Sequence, residues 1–199
     1  ENHRLFKNVI SSNKNLGDLP NYQWIPFGGC WIDAEDRICG MKDGLINIVA
    51  SEKRMLEGHR QRHQLIENLR GTNNWVVLGR GYRAITKKID TLRGYQFQVV
   101  IENERHPGYF TEKIIDCFMT GTIPVYLGAP DISEYFDVSQ FINCESIEEV
   151  QAMVNSILRL DIKYENFDPK VNFDKGSNYM LAEDYLIENL ESVWKSDTY

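Results

Sequence analysis

Residues 98–128, QVVIENERHPGYFTEKIIDCFMTGTIPVYLG, read as a strand, a polar loop, a helix, a tight turn and a second strand. After Gln98, the run Val99 to Ile101 is apolar and β-branched, short enough for a buried strand. Glu102 to Phe110 are mostly polar and contain the turn pair Pro107-Gly108. Thr111 is placed to cap a helix, with Glu112 in its electropositive first turn. Ile114, Ile115 and Phe118 share a helical face, and Gly121 stops the helix. Thr122 to Leu127 return as strand; Pro124 is dissonant there, because it brings no N–H to a ladder. The unit is βαβ, and parallel sheets of this kind bind ligands beyond the carboxyl ends of their strands. That edge collects Glu102, Asn103, Tyr109, Thr111, Glu112 and Lys113, a set too polar and too varied for a bare turn.

Upstream of this unit, Leu45 to Ala50 (LINIVA) predict a buried strand, His59 to Leu69 a helix and Trp75 to Leu78 a second strand. Ile85, Ile89 and Leu92 predict a further helix. Downstream come a helical turn over 132–136, an edge strand over 141–143 and the capping box Ser146-Ile147-Glu148-Glu149. That box opens a helix with Val150, Val154, Ile157 and Leu158 on one side. Residues 161–177 read as a long connection, and Leu186, Leu190, Val193 and Trp194 as a closing helix. Residues 1–43 lack sustained periodicity and read as an irregular lead-in, with 44–199 the folded domain. Alternating strands and helices give the fold class α/β, a doubly wound parallel sheet.

A chain of 199 residues suits one such domain, and 42% hydrophobic with 12% aromatic residues supply its core. No apolar run approaches the ~20 residues of a membrane span. The chain opens on Glu1 with no secretory signal, which reads as a piece of a longer protein whose targeting segments are not visible. The net charge of −7 is unevenly spread: residues 1–95 carry 15 Lys and Arg against 10 Asp and Glu, residues 96–199 carry 7 against 19. Duplex nucleic acid, which needs a broad basic surface, is a poor partner. A small anion gripped by a few cations of the first half fits. Cys30, Cys39, Cys117 and Cys144 lack zinc-site spacing; Cys30 and Cys39 are either free thiols or a disulfide pair.

Arg62 stands out among those cations, because Leu65, Ile66 and Leu69 share its helical face and turn it toward the sheet. It is read as an anion ligand, the plainer alternative being an arginine snorkelling past the core. Arg60 falls with His63, Gln64 and Glu67 on a face read as solvated, and His59 and His63 are assigned to solvent. Lys113, in the first turn of a helix at the ligand edge, adds a point charge where backbone N–H groups already favour phosphate. The motifs of dinucleotide oxidoreductases, P-loop NTPases and α/β-hydrolases are absent.

Ile101-Glu102-Asn103, Gly108-Tyr109-Phe110-Thr111-Glu112-Lys113 and Gly121-Thr122-Ile123-Pro124-Val125-Tyr126-Leu127-Gly128 resemble the signature of family 10 glycosyltransferases, the α-1,3/1,4-fucosyltransferases. The family pattern is F-E-N…Y-V-T-E-K…G-T-V-P-V-x-x-G; Ile101 replaces its Phe and Phe110 its Val. The likeness covers most of 45–145 and, more loosely, 164–174. It implies the C-terminal, Rossmann-like half of a GT-B enzyme, using GDP-fucose as donor substrate with no cofactor or metal. Arg62 and Lys113 would meet the pyrophosphate, Glu112 and Tyr109 the ribose or fucose, and Asn103 would orient the loop; Glu102 and Thr111 complete the implied donor site. Transfer to a glycan hydroxyl would invert the anomeric centre, with the general base on an acceptor domain preceding Glu1. The compartment would be the cytoplasm, with or without membrane association, or the Golgi lumen. Another nucleotide sugar as donor, or a nucleotide-sugar-binding module without catalysis, are the alternatives.

Overall fold

Val9–Ser11 (β1) and Tyr22–Trp24 (β2) pair in parallel as a small ribbon within the lead-in. The main sheet follows: Gly44–Val49 (β3), Trp75–Leu78 (β4), Tyr95–Ile101 (β5), Ile123–Leu127 (β6) and Ile142–Asn143 (β7). All five strands are parallel and lie in the order β4-β3-β5-β6-β7. This computed structural model describes residues 5–162, 167–181 and 183–187.

The helices are Glu57–Asn68 (α1), Glu112–Met119 (α2), Ile147–Leu158 (α3) and Pro169–Ser177 (α4). From β3 the chain steps outward through α1 to β4, and from β5 it steps the other way through α2 to β6. Right-handed crossovers in opposite directions put α1 and α2 on opposite faces of the sheet. Accordingly α3 packs with α1, and α4 with α2. Strand residues from both layers form one core, with Ile46, Ile48 and Val125 wholly buried beside Leu65 and Ile114. The predicted doubly wound α/β sheet is what the chain builds. Pro124 pairs with Gln98 of β5 and precedes Val125, where pairing with β7 begins, so its missing N–H falls outside that ladder.

Three local expectations are corrected. Residues 85–92 form no α-helix; only a 3-10 turn, Lys88–Thr91, is present. The Thr91 carbonyl instead accepts from the Asn47 and Gln98 side chains at 2.7 and 3.0 Å, which satisfies two buried amides in the strands. Residues 161–177 are not all connection, because α4 starts at Pro169 behind the Asp168 cap, whose side chain accepts from the Lys170 amide. Asn172 of α4 is buried and exchanges two hydrogen bonds with the Asp137 backbone. His59 and His63 are buried rather than solvated. His59 Nδ1 accepts from the Leu56 amide at the start of α1, and His63 bonds Tyr82 Oη at 2.8 Å and the Lys53 carbonyl at 3.1 Å.

All four cysteines are free thiols. Residues 183–187 are helical; the rest of the predicted closing helix, with Leu190, Val193 and Trp194, lies outside the described residues. Among the described residues no helix is long and apolar enough to cross a membrane.

Candidate functional site

Strand order reverses direction between β3 and β5, so the loops after these two strands part and leave a crevice at their carboxyl ends. A cleft of about 630 Å³ occupies this place. Val49 to Ser51 at the end of β3, Ile101 and Asn103 at the end of β5, and Glu112 and Lys113 at the start of α2 form its walls.

Arg62 reaches this cleft from α1 and is only 7% exposed. Its Nη1 donates to the Ile101 carbonyl and its Nη2 donates to Asn103 Oδ1 at 2.8 Å. Burial pushes its pKa down, while Glu102, Tyr109 and Glu112 oppose that shift. The approach of α1 depends on Gly58, whose N–H donates to the Asn103 carbonyl and where a Cβ would stand 1.8 Å from the Glu102 carbonyl oxygen.

Glu102 is wholly buried and is a hub. It accepts from the Thr111 amide (2.9 Å), from Thr111 Oγ1 (2.9 and 3.0 Å) and from Lys113 Nζ (3.0 Å). Thr111 caps α2, and Lys113 Nζ also donates to Thr111 Oγ1 at 2.8 Å. The ammonium is thereby anchored from behind with its side chain 22% exposed, and Glu112 Oε1 lies 3.7 Å from it. Of the seven residues picked out in the sequence, Arg62, Asn103, Glu112 and Lys113 line the cleft. Glu102 and Thr111 stand behind Lys113. Tyr109 is half-buried between the rings of His106 (4.7 Å) and Phe27 (5.9 Å), and burial first, then nearby carboxylates, push its phenol up to about 12.

The cleft also holds cations that the sequence did not single out: Lys53, Arg80 and Lys88. Arg80 lies two residues past the end of β4, a position that the strand-end rule could have flagged. Lys53 sits just beyond β3, and Lys88 gave no signal, since it enters through the 3-10 turn that replaces the expected helix. Lys88 Nζ lies 3.5 Å from the buried Asp116 of α2 and 5.8 Å from the centre of the Trp31 ring. Five cations line the cleft against the carboxylate of Glu112, with Glu102 behind Lys113 and Asp116 behind Lys88, and the remaining excess of positive charge makes this a site for an anion. Among the described residues, no group of three or more His, Cys, Asp and Glu side chains is arranged to hold a metal ion.

Residues 40–176 match the family model described as glycosyltransferase family 10 (fucosyltransferase), C-terminal. The chain belongs to glycosyltransferase family 10. It is 33% identical over 110 residues to the alpha-(1,3)-fucosyltransferase FucT of Helicobacter pylori, covering 55% of this chain and 23% of that protein. It is 26% identical over 110 residues to the mouse 4-galactosyl-N-acetylglucosaminide 3-alpha-L-fucosyltransferase 9, covering 54% of this chain and 28% of that protein. A crystal structure of an alpha1,3-fucosyltransferase with GDP-fucose superposes with a TM-score of 0.53 and 26% identity, over 79% of this chain and 49% of that one. The family 10 chain therefore spans about half the length of that solved structure and about a quarter of these curated relatives.

Proposed function

We propose that this chain is the donor-binding half of an inverting fucosyltransferase, which takes GDP-fucose in the switch-point cleft and passes fucose to a glycan hydroxyl. The observation that carries this reading is the convergence of Arg62 and Lys113, brought by two helices to the carboxyl ends of β3 and β5. The related fucosyltransferase solved with GDP-fucose supports the choice of donor.

In this reading the diphosphate lies against Arg62 and Lys113, with Lys53 and Arg80 nearby. As the acceptor oxygen attacks the anomeric carbon from the opposite side, the carbon–oxygen bond to the diphosphate breaks and its electron pair leaves with GDP. Fixed cations that face the growing negative charge stabilise that transition state without reorganising, the main source of rate in such a site. Glu102 acts through Lys113 by fixing its ammonium, and Asn103 keeps the Arg62 fork aimed. The acceptor proton goes to a base outside the cleft walls described above.

Calorimetry with GDP, GDP-fucose and a panel of UDP and CMP sugars tests the donor assignment. Tighter binding of the GDP ligands is the expected result. Absent binding, or equal binding across the panel, overturns it.

A further inference from the structure

Residues 5–39 of the lead-in lie before the segment matched by the family model, yet they grip the loop that precedes α2. Lys14 is its key. The Lys14 Nζ donates to Asp131 at 2.9 Å and to Glu134 at 2.8 Å, and it sits 5.3 and 4.9 Å from the ring centres of Trp24 and Tyr135. The backbone of Lys14 also reaches the loop, its N–H donating to the Pro107 carbonyl at 3.4 Å.

Asp131 faces two ways. Its Oδ2 takes the Lys14 ammonium, while its Oδ1 accepts from the Gly108 N–H at 2.8 Å. Gly108 has a φ of +76°, and a Cβ there would come within 2.5 Å of Trp24 Nε1 and 3.0 Å of the Lys14 stem. The Pro107-Gly108 turn is thus seated directly on the Lys14–Trp24 pair, with no space for a side chain between them. Two residues further, the Gly28 N–H donates to the Phe110 carbonyl at 3.2 Å, and Phe27 packs on Tyr109. Residues 107–110 are held at both ends before the chain enters the Thr111 cap and Lys113.

Without the ammonium, Asp131 and Glu134 would face each other with uncompensated charge, and the carboxylate that holds Gly108 would lose the partner that orients it. We propose that Lys14 is a positioning residue for donor binding: through Asp131 it fixes the Gly108 turn and so presets the loop that carries Tyr109, Thr111 and Lys113. This role rests on the donor site proposed above, and adds to it a segment outside the family-matched region.

Two readouts on the whole chain test it: amide hydrogen exchange over 108–110 without ligand, and the calorimetric Kd for GDP. Lys14→Met keeps the stem and removes the charge. It should speed exchange over 108–110 and weaken GDP binding by about fivefold or more, the worth of one net hydrogen bond. Exchange in α3, on the opposite face of the sheet, should stay at the wild-type rate, and Lys14→Arg should restore both properties. Faster loop exchange with an unchanged Kd overturns the proposal, as does unchanged exchange. If Lys14→Met also loosens α3, Asp131→Ala decides: it removes the carboxylate that links the Lys14 ammonium to the Gly108 N–H while leaving Lys14 and its Glu134 partner in place, and wild-type affinity in that variant overturns the proposal. A wild-type chain that binds no nucleotide instead overturns the donor reading, and the role of Lys14 in donor binding with it.

Discussion

Arg62 Nη2 donates to Asn103 Oδ1 at 2.8 Å, while Nη1 of the same guanidinium donates to the Ile101 carbonyl, so α1 is stitched to the carboxyl end of β5 across the switch point. The two arms of the arginine are already committed to the loop, and the fork is therefore held in place before any ligand arrives. Preorganisation of this kind is what makes a fixed charge effective against a developing one.

Arg62 and its helical neighbour Arg60 should consequently behave differently. Arg60 is exposed and pairs with Glu57 one turn away, so Arg60→Ala should change GDP affinity by no more than about 0.5 kcal/mol. Arg62→Ala removes a charge-assisted contact and should cost about 1.5–3 kcal/mol, roughly tenfold or more in Kd. Titration of both variants checks this, and the reverse ordering would show that α1 presents another face to the ligand.

Glu102→Ala should be among the most damaging single changes. It strips the partner from the Lys113 ammonium and leaves the Thr111 amide and hydroxyl without their acceptor. Breaking a buried pair from one side costs about 3–5 kcal/mol, and the partly exposed Lys113 places this case at the lower end. Denaturant unfolding measures the loss. Glu102→Gln, which keeps an acceptor for Thr111, should lose less.

Gly58→Ala tests the close approach of α1 to the loop. Alanine is the better helix former, so on an isolated helix the change would be stabilising. Here the new methyl would meet the Glu102 carbonyl oxygen at 1.8 Å and Asn103 Cα at 3.0 Å. Overpacking of that order costs about 1–3 kcal/mol and should shift Asn103 away from Arg62, lowering both the melting temperature and GDP affinity. A more stable variant with intact binding would contradict the packing.

His59 gives a pH dependence with a definite sign. Burial first, and then the charges of Arg62, Lys53, Lys113 and His63, hold its pKa below the ordinary value. A histidine kept neutral by the fold contributes stability that is fully present above its unfolded pKa of about 6.5 and is lost as the pH falls from there toward the lowered folded value. His59→Gln keeps an acceptor for the Leu56 amide without the titration. Thermal unfolding across this range should show the wild type losing more stability on acidification than the variant, and parallel curves would rule the effect out.

Donor binding and sugar transfer should separate in this chain by itself. Glu112 is the one carboxylate among the described residues that line the cleft, and it lies 3.7 Å from the Lys113 ammonium, among the cations proposed to meet the diphosphate. Orientation of the acceptor, a large part of the rate, also needs a facing wall. Labelled GDP-fucose with mixed glycan acceptors should give binding without measurable transfer. Turnover at an ordinary transferase rate would place the base within residues 1–199.

The stretch 98–128 could be read without coordinates because its information is local: short apolar, β-branched runs, a threonine cap and a glycine stop act over a few residues each. The inward phase of Arg62 was legible for the same reason, since helical spacing ties it to Leu65, Ile66 and Leu69. Other features were decided by contacts between distant parts of the chain. The apolar spacing of 85–92 predicts a helix, but the chain there forms only the 3-10 turn whose last carbonyl, that of Thr91, accepts from Asn47 and Gln98. His63 falls on a face that the sequence assigns to water, but Tyr82 and the Lys53 carbonyl fold over it. Residues 5–32 carry no period of their own; their place is set by Lys14 against Asp131, Gly28 against Phe110 and Trp31 against Asp116, each more than eighty residues apart. Lys88 joins the cleft only because that turn and α2 meet in space. Periodicity and caps report the forces within one element, whereas the partners of a buried polar group are chosen by the sheet order, which no single segment contains.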